Sequence, residues 1–357
     1  NVIWGPTTPW DAAAMILPWE LYTTYGDTRI LADNQDMQRR LVDYTATFIK
    51  APDYQRSAGL SEWASAGGMD YSNARGGGID AVTTAYFFHE ADLLAKSLAI
   101  VGKMEDAARY AKLAADIRAA YNARYWNDAM GWYRTIDSKG AVGQPTQVQN
   151  ILPLAFGMVP TGREQDVANA IANNVDKQGL RTGVYGARYL LEILSDYGHA
   201  NLAYRVATRT DEPSWGWWIK NGHSTMFETW SLNSRSRDHH YFASIADWMR
   251  QRLAGLRPGA PGYKLVLVKP AIPDGLASAE AAMDTIHGRA FSGWKVDAGK
   301  LTLTAEVPAN TVGEIWVPTR FGAVTPPPGA NPVREDKGYS IYRTGPGRFI
   351  FTTGGAQ

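Results

Sequence analysis

The chain has 357 residues, 45% of them hydrophobic and 20% charged, with a net charge of +1 and no cysteine. That balance excludes a disordered chain and leaves no block of like charge for nucleic acid or an anionic membrane surface. It also rules out disulfides, thiolate metal sites and a cysteine nucleophile. The length accommodates two domains, and no apolar run approaches a membrane span. Thirteen Trp and eighteen Tyr are many for this length. Several lie beside Gly, Pro, Asp or Glu, as in TTPWDA, LSEWAS, PSWGWW and MFETW. An aromatic face next to a polar group suits a sugar ring, although any single Trp also suits a large core. The chain opens at Asn1 with no charged or apolar leader, so Asn1 is expected to be a processed or truncated end.

In chain order, the first ~255 residues predict helices joined by long Gly- and aromatic-rich loops. DAVTTAYFFHEADLLAKSLAIVG places Val82, Tyr86, Leu93 and Ile100 on one stripe, and Gly102 ends it. MEDAARYAKLAADIRAAYNARYW follows, with Ala107, Tyr110, Ala111, Ala114, Ile117 and Tyr121 at helical spacing and Glu105, Arg109 and Lys112 opposite. The two read as a helical hairpin. Further helices are expected over roughly 10–24, 35–49, 145–156, 163–175, 188–196, 198–209 and 239–254. Thr161 is the expected N-cap of the one near 163. The long loops near 51–79 and 210–238 are where function is expected. Paired helices with such loops suggest a toroid of helical hairpins with a site at one end.

Beyond Gly255 the period becomes two. LRPGAPGYK reads as a linker, and KLTLTAEVP alternates Leu301, Leu303, Ala305 and Val307. EIWVP, YSIYR and RFIFTT follow between turns. The expected fold is therefore mainly α with a β domain: an (α/α) barrel over 1–256 and a small antiparallel β-sandwich over 257–357.

Four segments in this order, PWDAAAMILPWELYTTYGD, GKMEDAARYAKLAADIRAAYNARYW, PSWGWWIKNGHSTMFETW and DHHYFASIADWMRQRLAGL, resemble the bacterial α-L-rhamnosidases of glycoside hydrolase family 78. The tail from PGYKLVLVKPAIPDGL to GEIWVP resembles that family's C-terminal β-domain. The resemblance covers nearly the whole chain. It implies an (α/α)6 barrel over 1–256, incomplete at its N-terminal side, and an inverting exo-glycosidase that releases terminal L-rhamnose with two carboxylates. One is an acid for the leaving oxygen and the other a base for a water, set about 6.5–9.5 Å apart. The family's base lies in a TTMWERW-like segment, which here reads STMFETW and gives Glu228; Phe227 and Thr229 replace the family's Trp and Arg. An aromatic setting that excludes water makes a carboxylate a stronger base. The bland alternative is a glutamate at a helix start.

The resemblance also implies that Trp10 and Asp11 lie near the sugar, in a WGDA-like segment that here carries Pro9 and lacks a Gly. Trp63, in a GDW-like segment with Glu62 in place of Asp, is expected to be a sugar-facing wall. His239 is expected to bind a rhamnose hydroxyl, with His240 beside it. Trp215 is either pocket wall or packing. His89 is expected to be a satisfied core histidine. The family's general acid lies on a D-x-x-x-x-E-R-x-G-W-x-G-D-like segment that these residues do not contain. It is expected upstream of Asn1, on an N-terminal segment of the same enzyme that completes the barrel; the alternative acids within the chain are Asp11, Glu62 and Asp70. The chemistry requires no metal and no cofactor. The expected partner is a rhamnose-containing glycan or glycoside, with no nucleic acid and no membrane. Two other functions compete: a carbohydrate-binding relic without catalysis, and another (α/α)-barrel glycosidase or a polysaccharide lyase that would use SRSRDHHY against a uronate.

Overall fold

A computed structural model of the chain describes residues 8–55, 62–64, 79–136, 141–143 and 145–354. These divide into two compact units, Asn1–Trp19 with Thr28–Ile245, and Glu20–Asp27 with Ala246–Gln357. A short 3-10 turn, Trp10–Ala12, leads into α1 (Ala13–Tyr25), followed by α2 (Arg29–Ala46), α3 (Ile79–Ile100) and α4 (Met104–Tyr125). Two small hairpins come next, β1 (Trp126–Asn127) with β2 (Trp132–Tyr133), and β3 (Thr135–Ile136) with β4 (Val142–Gly143). The helical part continues with α5 (Gln147–Phe156), α6 (Glu164–Gln178), α7 (Val184–Asp196), α8 (Ala200–Thr208), the short α9 (Trp215–Lys220) and α10 (Ser244–Trp248).

Helices adjacent in sequence pack as neighbours: α2 on α3, α3 on α4, α5 on α6 and α7 on α8. This is the hairpin arrangement of an (α/α) toroid. The helix α3 is central. Besides α2 and α4 it touches α5 and the 3-10 turn at Trp10, and from Ala81 to Leu98 it is buried on nearly every side. A helix enclosed this way must be apolar almost all round, which AVTTAYFF and ADLLAKSL supply. The α4 helix shows the one-sided pattern instead. Ala107, Tyr110, Ala114, Ile117 and Tyr121 are buried, whereas Ala111, expected on the same stripe, is exposed.

The ends of these helices differ in part from expectation. Thr161 does not cap α6: Arg163 occupies the N-cap position without a capping side chain and pairs with Asp128 and Asp166, each at 2.6 Å. The helix α5 does carry a side-chain cap, Thr146 accepting from the Gln149 amide at 3.4 Å, and ends at Gly157 in the left-handed conformation. The expected helix over 239–254 is broken into a 3-10 turn (His240–Ala243), α10 and a π-turn (Met249–Leu253). On α1 and α2, and just after α2, the large apolar side chains of Leu17, Tyr44 and Phe48 stand exposed.

In the second unit, β5 (Leu256–Pro258), β6 (Leu265–Val268), β7 (Ser278–Thr285), β8 (Gly288–Asp297), β9 (Lys300–Val307), β10 (Val312–Pro318), β11 (Val324–Thr325), β12 (Asn331–Asp336), β13 (Tyr339–Thr344) and β14 (Gly347–Thr353) form two five-stranded sheets. Their orders are β12-β13-β10-β6-β5 and β11-β14-β9-β8-β7. Every pairing is antiparallel except β6 with β10. The core draws on both sheets. Leu301, Leu303, Ala305 and Val307 of β9 and Phe351 of β14 share one cluster with Val266, Val268, Ile315 and Val317 from the other sheet. Within this unit Gly26 and Gly262, both at positive φ, approach so closely that a Cβ on Gly26 would sit 3.2 Å from the Gly262 Cα. Gly26→Ala is therefore expected to cost about 1–2 kcal/mol, from the left-handed backbone and the backbone contact together. Chemical unfolding followed in the β unit checks this.

Candidate active site

The segment around Glu228 is a loop tied to itself. The Glu228 amide donates to Ser236 O at 3.0 Å and the His239 amide to Met226 O at 2.7 Å. Ser234 Oγ accepts from the Thr229 amide at 3.2 Å and donates to Ser236 O at 3.0 Å. Phe227 and Trp230 turn inward and are fully buried, and Glu228 between them is half-buried. The apolar neighbours in MFETW therefore anchor the loop, which leaves the carboxylate at its surface.

That anchor is an aromatic cluster. Trp230 stacks on Trp218 at 5.2 Å, lies 3.9 Å from Phe242 and meets Trp215 edge-on at 5.1 Å. Every indole N–H in it is used: Trp230 donates to Thr182 O at 3.1 Å, Trp218 to Trp230 O at 3.2 Å and Trp215 to Phe242 O at 3.0 Å. Trp215, 4% exposed, is thus in the packing beneath the loop, the second of its two sequence readings.

Trp63, Trp10 and His239 gather around Glu228. Trp63 Nε1 donates to Glu228 Oε1 at 3.2 Å, across 165 residues of sequence. Trp10 meets Trp63 edge-on at 5.8 Å, Tyr185 at 6.0 Å and Tyr241 at 5.4 Å. His239 lies 3.8 Å from the Tyr241 ring. Burial pulls the His239 imidazole below its usual pKa, against the negative charge of Glu228, which raises it. Burial, with Glu228 second, pushes the Tyr241 phenol up to about 12. Asp11 stands beside Tyr185 and Glu90, whose ionisation it opposes. Trp10 Nε1 and His239 Nδ1 are buried without a hydrogen-bond partner among the described residues. Buried polar atoms left over in a well-paired structure are suited to a polar ligand.

Glu62 behaves differently from its neighbour Trp63. Its Oε1 accepts from Thr182 Oγ1 and from the Gly186 amide, both at 3.2 Å, at the start of α7. Part of the residue reaches solvent, but the carboxylate is enclosed, and burial pushes it up to about 7 against these hydrogen bonds. It faces α7, which makes it a poor proton donor to a sugar beside Glu228. Asp70 lies outside the described residues. His89 is a core residue, stacked on Phe156 at 4.0 Å, but it is not satisfied: Nδ1 is enclosed without a partner among the described residues. Burial pulls its pKa down to about 3. Among the described residues no group of three or more His, Asp or Glu could hold a metal ion, and no helix is long and apolar enough to cross a membrane.

The sequence reading missed Tyr185, Tyr241 and Glu90. Tyr185 is the second residue of α7 and Tyr241 sits in the 3-10 turn after His239. Neither carries a spacing signal, because both reach Trp10 only through the fold.

Comparisons with known proteins identify the family. Residues 2–253 match the model of the bacterial alpha-L-rhamnosidase 6 hairpin glycosidase domain, and residues 255–327 match the bacterial alpha-L-rhamnosidase C-terminal domain. An alpha-L-rhamnosidase of Streptomyces avermitilis is 30% identical over 96% of this chain and 32% of its own length. One from Formosa agariphila is 28% identical over 87% of this chain and 34% of its own length. The crystal structure of the Streptomyces avermitilis enzyme complexed with L-rhamnose superposes with a TM-score of 0.85 at 29% identity, covering 98% of this chain and 33% of that one. That of an alpha-L-rhamnosidase from Dictyoglomus thermophilum gives 0.84 at 26% identity, covering 98% and 39%. The chain spans about a third of the length of the curated relatives it matches. With a six-hairpin model over most of its length and the family's C-terminal domain directly after it, the chain belongs to the bacterial α-L-rhamnosidase family of six-hairpin glycosidases.

Proposed function

We propose that the protein is an α-L-rhamnosidase, an inverting exo-glycosidase that releases terminal L-rhamnose, with Glu228 as the general base. The observation that carries this reading is the Trp63–Glu228 hydrogen bond inside a box of Trp10, Tyr185, Tyr241 and His239. It places a carboxylate at a surface of aromatic faces, where a sugar's C–H faces pack and its hydroxyls meet unused donors. The L-rhamnose bound to the Streptomyces avermitilis relative supports the choice of sugar. In the proposed reaction Glu228 takes a proton from water as the water oxygen bonds to C1 on the face opposite the leaving group. An acid gives its proton to the departing oxygen. Trp10 and Asp11 hold the sugar, Trp63 closes one wall and orients the base, His239 meets a hydroxyl, and Trp215 supports the loop from beneath.

The acid is proposed to lie on a segment preceding Asn1. Within the chain, Glu62 is turned towards α7. The same segment is proposed to complete the barrel, consistent with the exposed apolar side chains of α1 and α2. Residues 1–256 would be the catalytic barrel and 257–357 the β-domain.

The test is turnover of p-nitrophenyl α-L-rhamnoside by the whole protein, with the first-formed sugar anomer followed by NMR. Release of the β-anomer first is expected. Release of the α-anomer first would remove inversion, and binding of rhamnose without turnover would leave the carbohydrate-binding relic as the better reading.

A further inference from the structure

Trp63 reaches Glu228 from the stretch 62–64. Three features tie that stretch to the first turn of α7. The Val184 amide donates to Trp63 O at 2.9 Å. The Gly186 amide and Thr182 Oγ1 donate to Glu62 Oε1, each at 3.2 Å, with the Gly183 and Tyr185 amides close by. Gly183 lies directly under the stretch: a Cβ there would come within 1.9 Å of Trp63 O. The first amides of a helix have no partners of their own, and Gly183, at the N-cap, offers no side chain to them. Glu62 and Trp63 supply the acceptors from outside.

The attachment holds the backbone in a conformation it would not choose. Ala64 has φ +58°, in the left-handed region that non-glycine residues avoid. Such a conformation persists only where its surroundings enforce it. Here the enforcing contacts flank a side chain that donates to Glu228.

We propose that Glu62 is a positioning residue: seated on the first amides of α7, its carboxylate fixes residues 62–64 so that the Trp63 indole N–H meets the Glu228 carboxylate. This rests on the reading of Glu228 as the base. Glu62 acts only through Trp63 and touches no substrate. A residue that merely caps α7 would support the same helix but would not be coupled to Trp63. That difference is measurable.

The experiment is a double-mutant cycle in the whole protein, with E62A, W63F and the double variant assayed on p-nitrophenyl α-L-rhamnoside. Each single variant is expected to lower kcat roughly ten- to hundredfold, with a smaller change in KM, because a misplaced base slows the chemical step. The double variant should be no slower than W63F. E62Q should recover most of the rate. Its amide oxygen can still accept from Gly186 and Thr182, and its NH2 group can occupy the Oε2 side, which accepts nothing among the described residues. Should E62A not fold, E62D, shorter by one methylene, supplies the same comparison.

A second readout does not depend on turnover. With 5-fluorotryptophan incorporated, the fluorine line missing from W63F belongs to Trp63, and E62A should displace or broaden it. Losses that multiply in the double variant, or a Trp63 line unchanged in E62A, overturn the proposal. A wild-type rate in E228Q would instead sink the base assignment, and the fluorine line would still decide whether Glu62 positions Trp63.

Discussion

Replacing Glu228 by glutamine lowers kcat by roughly 10²–10⁴-fold and leaves rhamnose affinity within a few-fold. The substitution keeps the shape and the loop. The backbone bonds from Glu228 N to Ser236 O and from His239 N to Met226 O do not involve the side chain, and Phe227 and Trp230 remain buried. Trp63 Nε1 retains an oxygen to donate to. What is lost is the ability to take a proton from water. A companion effect has a definite sign: the Glu228 charge raises the His239 pKa against burial, so its removal lets that pKa fall further. Steady-state kinetics together with rhamnose titration separate the two parts. A rate unchanged in the glutamine variant would remove Glu228 from the mechanism. A loss of rhamnose affinity as large as the loss of rate would make it a binding residue.

Much of this arrangement is legible in the sequence where it depends on local periodicity. Leu301, Leu303, Ala305 and Val307 alternate in KLTLTAEVP, and all four are buried in one cluster, because a strand's facing is set by its period of two. The α3–α4 pair is equally plain, since two long apolar patterns flank a short turn. Local cues fail where a neighbour from far along the chain decides. The helix α7 begins at Val184, four residues before the expected start, because Glu62 and Trp63, some 120 residues earlier, accept from its first amides. The expected helix over 239–254 starts where the His239 amide is bonded back to the Glu228 loop, and no local period in the sequence announces its division into a 3-10 turn, α10 and a π-turn.

The same division runs through the site. Glu228, Trp10, Asp11, Trp63 and His239 stand in quotable motifs; the fold brings Trp63, Trp10 and His239 around Glu228 and sets Asp11 beside Tyr185. Tyr185 and Tyr241 sit in stretches whose composition gives no reason to choose them. Trp215 sits in the most conspicuous aromatic run of the chain and is nevertheless packing. An indole beside Gly suits a sugar and a core equally well, and only the destination of its N–H distinguishes the two.

Glu90→Met is expected to stabilise the helical unit by about 1–3 kcal/mol at pH 8, with a gain that shrinks towards pH 5. Glu90 is in the middle of α3, 0% exposed, and neither of its oxygens has a partner among the described residues. Burial, followed by the nearby Asp11 charge, pushes its carboxyl well above the ordinary range. An acid whose folded pKa lies above its unfolded one contributes stability that is fully present below the unfolded value, about 4.5, and is lost as pH rises through the folded value. Glu62, pushed up to about 7, has the same sign and loses its contribution between about 4.5 and 7. His89 has the opposite sign: with its pKa pulled down to about 3, it weakens the fold as pH drops below about 6.5. The raw pH profile of the wild type therefore mixes opposing contributions. The difference between wild type and the Met variant cancels Glu62 and His89 and isolates Glu90. Methionine has similar length and flexibility, so little cavity is created. Chemical unfolding of both proteins at pH 5 and pH 8, followed by helical circular dichroism, gives that difference. A Met variant less stable than wild type at pH 8, or a difference that stays flat across this range, would mean that Glu90 is charged in the folded protein and held by a partner.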